Sequence, residues 1–298
     1  MKRMYLLLFM GCLVACTKIE IENRPTEGEV KLSVDWTDKT ASAGMRFYFY
    51  RMEGDVVTRT GNSPVIRDAS ASGFAGSLPI GTYQMLAVNT DGKGTELTGM
   101  EDYGTATAVL KDVTGKMSNF YCWSMDSLRV HYNAGVKKSG APAQLTKELS
   151  FQFALEGTGL RSLSGSLCGV YPSVQLATGV PSTQSVAAAP ATEVRFDVAL
   201  NGVTGHTNFL TFGVLDPRNG SAYRQLLLLT ATTLSGKTQE LKVDLSRDMT
   251  EILKAYGGTL PVNVAVEVDV AVEAGSDAGL TARITGWQPA TGKGEVNE

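Results

Sequence analysis

Glu29-Val30-Lys31-Leu32-Ser33-Val34-Asp35-Trp36 alternates without a break. Val30, Leu32, Val34 and Trp36 share one face, and Glu29, Lys31, Ser33 and Asp35 share the other. A period of two is the signature of a half-buried strand. The same signature recurs along the chain. Met45-Arg46-Phe47-Tyr48-Phe49-Tyr50 is aromatic enough for a central strand. Phe74 to Asn89 reads as two strands parted at Pro79 and Gly81, where proline fixes φ and glycine frees it. Thr105 to Leu110 and Ser127 to Tyr132 are further strands. The stretches Glu53–Gly73 (with a short strand at Val65-Ile66) and Thr90–Gly104 read as loops.

The second half continues the pattern. Leu149 to Leu155 alternates cleanly, and strands follow at Ser162–Val170, Glu193–Leu200, Asn208–Leu215 and Arg224–Thr232. Gln175 to Thr192 is a Pro/Ala/Ser/Thr-rich loop. Leu226-Leu227-Leu228-Leu229 is apolar on both faces and so is expected to lie between two layers. Lys237 to Leu245 sets Leu241, Val243 and Leu245 against charges. At Ser246–Tyr256 the period changes to that of a helix, with Met249, Ile252, Leu253 and Tyr256 on one side. Asp248 and Glu251 suit its start and Gly257-Gly258 its stop. Pro261 to Val272 returns to strict alternation, and Thr281 to Trp287 closes the pattern. Short strands with one helix predict an all-β chain of paired β-sandwiches. The boundary falls at Lys137 to Pro142, the most linker-like stretch. The expected units are residues 29–136 and 147–298, joined by a linker at 137–146.

Composition excludes several roles. The chain has 298 residues, 43% hydrophobic and 19% charged, with a net charge of −3 from 27 basic and 30 acidic residues. That is an ordinary globular composition, and nothing in it gives the basic footprint of a nucleic-acid binder. His131 and His206 are the only histidines, and no Gly-x-Ser-x-Gly elbow accompanies them. Both read as surface residues, His206 in a Gly205-His206-Thr207 turn. Gly236-Lys237-Thr238 has the end of a phosphate loop, but Ala231 stands where its first glycine belongs, so it reads as a hairpin turn. No metal set, cofactor site or small-molecule substrate is expected, and the chain reads as a non-enzyme.

The N-terminus carries an export signal: Lys2 and Arg3, a short apolar run from Tyr5, then Leu13-Val14-Ala15-Cys16. The run is too short to span a bilayer, which takes about 20 residues. Leu-Val-Ala-Cys resembles the lipobox of bacterial lipoproteins. That resemblance implies removal of residues 1–15, acylation of Cys16, a polar tether over 16–28, and attachment to a membrane through lipid. Thr17, in place of an acidic residue, suggests by analogy the outer membrane. Cys122 and Cys168 then remain. Export permits them to pair, and buried free thiols fit equally well.

Val34-Asp35-Trp36, Met45 to Tyr50, Leu78-Pro79-Ile80-Gly81-Thr82-Tyr83 with Asn89, Val243-Asp244-Leu245 and Gly286-Trp287 together resemble the fimbrillin-like lipoproteins of Bacteroidetes. Specifically the chain is similar to the DUF5119 and FimB/Mfa2 fimbrial-anchor group. The resemblance implies two tandem transthyretin-like β-sandwich domains, the second with the short helix. It also implies a lipid-anchored anchor or accessory subunit of a type V pilus at the cell surface, whose partners are shaft or accessory fimbrial subunits. Subunits of such fibres join when an extended segment of one completes the sheet of another. Shaft subunits are cut after a basic residue. Here Pro25 follows Arg24, which disfavours that cut.

The rival reading is a cell-surface glycan-binding lipoprotein. Trp36, Trp123, Trp287, Tyr48, Tyr83 and Tyr121 would stack on sugars if exposed. Periodicity places Trp36 and Tyr48 in the core and assigns no side to Tyr121-Cys122-Trp123, so Tyr121 and Trp123 are the candidates. Asp126-Ser127-Leu128 matches the Asp-Ser/Thr-apolar pattern of O-glycosylation in exported Bacteroidetes proteins, which makes Ser127 a candidate carrier.

Overall fold

The computed structural model describes residues 26–37, 39–52, 63–111, 117–157, 159–182, 193–216, 224–262, 265–274 and 279–289. The export signal, Cys16 and most of the tether lie outside them. Strands dominate, as the alternation predicts.

The N-terminal half is one eight-stranded sheet. Its strands are β1 (Glu27–Val34), β2 (Gly44–Met52), β3 (Val65–Ser70), β4 (Gly73–Pro79), β5 (Gly81–Asn89), β8 (Tyr121–Val130), β9 (Val136–Gly140) and β10 (Ala143–Gln144). They run in the order β10-β8-β5-β2-β3-β4-β1-β9, and the sheet rolls until its ends meet. Gly140 on β9 lies so close to the Trp123 ring on β8 that any Cβ there would collide with it. The bend at Pro79–Gly81 is present, but β4 and β5 do not pair with each other. β4 joins β1 and β3, while β5 joins β2 and β8. It is a corner between the two walls of the roll, pinned by the Tyr83 hydroxyl donating to the Pro79 carbonyl at 2.7 Å.

Residues 137–140 of the expected linker are strand, part of β9. β9 pairs with β1 in parallel, with Lys137 beside Lys31 and Gly140 beside Val34. Charge and glycine suggest a linker, but the long-range pairing that makes this a strand has no local signal.

The C-terminal half is a sandwich of two sheets. One has the order β16-β17-β11-β20-β21 and the other β15-β12-β18-β19. The first comprises β11 (Lys147–Glu156), β16 (Ala199–Asn201), β17 (Thr204–Thr211), β20 (Val266–Ala274) and β21 (Leu280–Pro289). The second comprises β12 (Leu160–Cys168), β15 (Glu193–Asp197), β18 (Leu226–Thr233) and β19 (Thr238–Asp244). Phe151 on β11 stacks on Phe196 of the opposite sheet at 5.8 Å and on its neighbour Phe209 at 5.8 Å. Each such buried ring contributes about 1.5–3 kcal/mol. The helix α1 (Ser246–Ala255) seals one end with Met249, Ile252 and Leu253. Its stop is as expected: Gly257 and Gly258 take φ of +73° and +100°. Its start differs, because no side chain caps it; Asp248 only lends charge to the first turn.

A fourth sheet straddles the halves. β6 (Thr95–Thr98) and β7 (Thr107–Leu110) continue into β13 (Ser173–Gln175) and β14 (Pro181–Ser182) in the order β14-β13-β7-β6. Beneath it, Tyr48, Tyr50, Leu86 and Val88 meet Ala106, Ala108, Val174, Leu176 and Phe212 in one cluster. The alternate residues of the same strands, Phe47, Phe49, Met85 and Ala87, fill the inside of the roll. The wall β8-β5-β2 is therefore apolar on both faces, which accounts for the unbroken aromatic run of β2.

Candidate functional site

Tyr121 and Trp123 stand at the start of β8, and both are buried, at 4% and 8% exposure. Trp123 faces the inside of the roll and Cys122 the cluster between the halves. The stretch lacks periodicity because both its faces are covered. Tyr121 also meets Trp36 edge-on at 5.3 Å. A sugar needs an open ring face, and neither candidate offers one; Tyr48 and Tyr83 are likewise buried. Ser127 is exposed. It sits beside Asp126 where β8 bulges against β5, between the pairs Tyr83–Leu128 and Met85–Met125. Asp126 accepts the Tyr103 hydroxyl at 2.7 Å.

Cys122 and Cys168 are free. Cys122 is buried, which pushes its thiol up to about 12, and it donates weakly to the Leu176 carbonyl at 3.5 Å. It is an inert packing residue. His206 lies within β17, not in a turn, and its Nε2 pairs with the Ser150 hydroxyl at 3.1 Å. A nucleophilic serine also needs a carboxylate or carbonyl orienting the ring from its other nitrogen. Among the described residues the ring has no such partner. No group of three or more His, Cys, Asp or Glu side chains among the described residues could hold a metal. The 234–237 segment is the hairpin turn between β18 and β19 that the sequence predicts.

Two features remain. The first is the set of sheet edges in the C-terminal half. β21 is a ten-residue edge strand. At its first residue a side chain stands in for a strand: Gln239 of β19 accepts from the Leu280 N–H at 2.8 Å and donates to the Leu280 carbonyl at 2.9 Å. Further on, the Arg283–Glu273 ion pair and the bulge between Asp269 and Val270 blunt the edge.

The second feature is a trough of about 830 Å³ on the outer face of β15-β12-β18-β19. Registry sets its cross-section. Asp197, Ser164, Thr230 and Glu240 form one row across the four strands, and Arg195, Ser166, Leu228 and Lys242 form the next. Beyond them, Glu193 and Asp244 close the two edges. Charged side chains thus wall the trough along both edge strands, alternating acid, base, acid, while hydroxyls and Leu228 make its floor. Glu193 holds Arg195 at 3.0 Å. Leu226 to Leu229 do not lie between layers as expected: Leu227 and Leu229 are in the core, but Leu228 is 37% exposed in the trough. No signal in the sequence distinguishes a leucine beneath a second layer from one beneath open water.

Fold and geometry define a class: a tandem all-β sandwich protein without an assembled catalytic centre among the described residues. Residues 15–140 match the family model described as Domain of unknown function (DUF5119), in agreement with the resemblance read from the sequence. None of the curated proteins matches the chain in sequence. Solved structures do match in fold. A candidate adhesin from Bacteroides ovatus ATCC 8483 aligns with a TM-score of 0.61 at 18% identity, over 89% of this chain and 96% of that one. The fimbrial anchor protein Mfa2 from Porphyromonas gingivalis aligns with a TM-score of 0.53 at 11% identity, over 88% and 96%. A candidate polysaccharide-binding protein from Bacteroides thetaiotaomicron gives 0.53 at 10% identity, over 88% and 97%.

Proposed function

We propose that this chain is a lipid-anchored anchor or accessory subunit of a fimbria-like assembly at the outer membrane. Cys16 carries the lipid, and association with other fimbrial subunits proceeds by strand addition at a sheet edge. The observation that carries the reading is the correspondence of nearly the whole fold to a fimbrial anchor protein, in a chain whose N-terminus reads as a lipobox. The outer edge of β21 beyond Leu280, which no strand among the described residues pairs, supports it, since main-chain groups along an edge can bond an added strand. Such a subunit works by holding, and needs no chemistry.

The test is Cys16→Ala in the native host, with fibres imaged on cells and in the medium. Fibres shed into the medium are the expected result. Fibres retained unchanged on the cell would remove the anchor role.

A further inference from the structure

We infer that the trough on the outer face of β15-β12-β18-β19 is a binding site for a neutral carbohydrate chain. Ser166 gives the first reason. It lies on the outward side of β12 yet is only 7% exposed, and its hydroxyl finds no hydrogen-bond partner among the described residues. The oxygen itself still reaches solvent, so it is open to whatever occupies the trough. Ser164 and Thr230 in the next row are likewise without hydrogen bonds among the described residues. Hydroxyls both donate and accept, so this floor offers both functions to whatever fills it. Leu228 lies between them, an apolar patch of the size that the C–H face of a sugar ring covers.

The walls select the ligand's charge. Acidic rows flank a basic one on both sides of the trough. A polyanion would lie against Glu193, Asp197 and Glu240, and a polycation against Arg195 and Lys242. A neutral polyol bonds to both kinds of row, carboxylates accepting its hydroxyls and the cations donating to them.

The geometry of the trough suits a small ligand better than an added strand. β12 and β18, which make the floor, are each paired on both sides, so a strand could add only at the β15 or β19 edge and not within the trough. The face is about four strands, or roughly 14 Å, across. The volume of about 830 Å³ lies within the common range for small-ligand sites.

The inference does not rest on the anchor reading. It is tested on the full mature chain by affinity electrophoresis in gels containing mannan, xylan, an α-glucan or a β-glucan. At least one polymer is expected to retard the protein. Ser166→Trp, which fills the trough, should reduce that retardation at least tenfold. Arg195→Ala combined with Lys242→Ala, changes at exposed positions that leave the core intact, should weaken it severalfold, while Tyr132→Ala on the other half leaves it unchanged. No retardation by any of the four polymers overturns the assignment. So does retardation that both trough variants retain, or a Leu228→Cys chain that crosslinks to a protein partner with polymer unable to compete.

Discussion

The two halves solve the same problem differently. The N-terminal half rolls eight strands until β9 and β8 meet at Gly140 and Trp123, which brings its terminal strands together. The C-terminal half keeps two separate sheets, leaves β19 and β21 as edges, and turns one polar face outward around a trough. The roll still leaves β9 and β10 as its ends, with no strand pairing between them among the described residues, and the sandwich leaves β15, β16, β19 and β21; such edges present main-chain groups that can be used by something else. Most of the edges and the trough lie in the second half, although the sequence motifs that suggest the family are denser in the first.

Phe151→Ala should give the largest effect. Its ring bridges both sheets through Phe196 and Phe209, and its removal should destabilise the protein by about 3–5 kcal/mol in urea unfolding. If the halves were independent, tryptophan fluorescence from Trp36 and Trp123 would be unchanged at the lower midpoint; a single shifted transition is expected instead. Gly140→Val attacks the seam of the roll. Its side chain would collide with Trp123, and overpacking of this kind should lower stability by about 1–3 kcal/mol. Wild-type stability in this variant would mean that the ends of the sheet do not meet.

The smallest effect concerns pH. Burial pushes the Asp91 carboxyl up, but hydrogen bonds from Ser42, Asn89 and the Ala43 N–H together outweigh it. They hold it below its ordinary value of 3.8. A lowered folded-state pKa contributes stability above the unfolded value, which is lost as pH falls through the folded one. Asp91→Asn should therefore be less stable than wild type at pH 7, and the gap should close in strong acid. A gap that stays constant with pH would show that the carboxylate charge plays no part.

Much of the fold was legible because one-sided burial writes itself into the chain. β1, β11 and α1 bury one face each, and their periods of 2 and 3.6 mark them at once. Two-sided burial erases that mark, which is why Tyr121-Cys122-Trp123 had no readable side. Partners far away in sequence leave no mark either. β9 needs β1, about a hundred residues earlier, and β13 needs β7; both were hidden in stretches that looked like linker or loop. The trough was illegible for a related reason. Its residues come from four strands between Ser164 and Lys242, and only the registry of those strands shows that like charges face each other across it.

The sheet shared by β7 and β13 also bears on how such a chain is exchanged during evolution. A crossover just after Pro142 would part Ala108 from Val174 and bare the aromatic face of Tyr48 and Tyr50 to water. Neither half could be swapped for an unrelated domain without that loss. The two halves are joined as a unit by that shared sheet and the cluster beneath it.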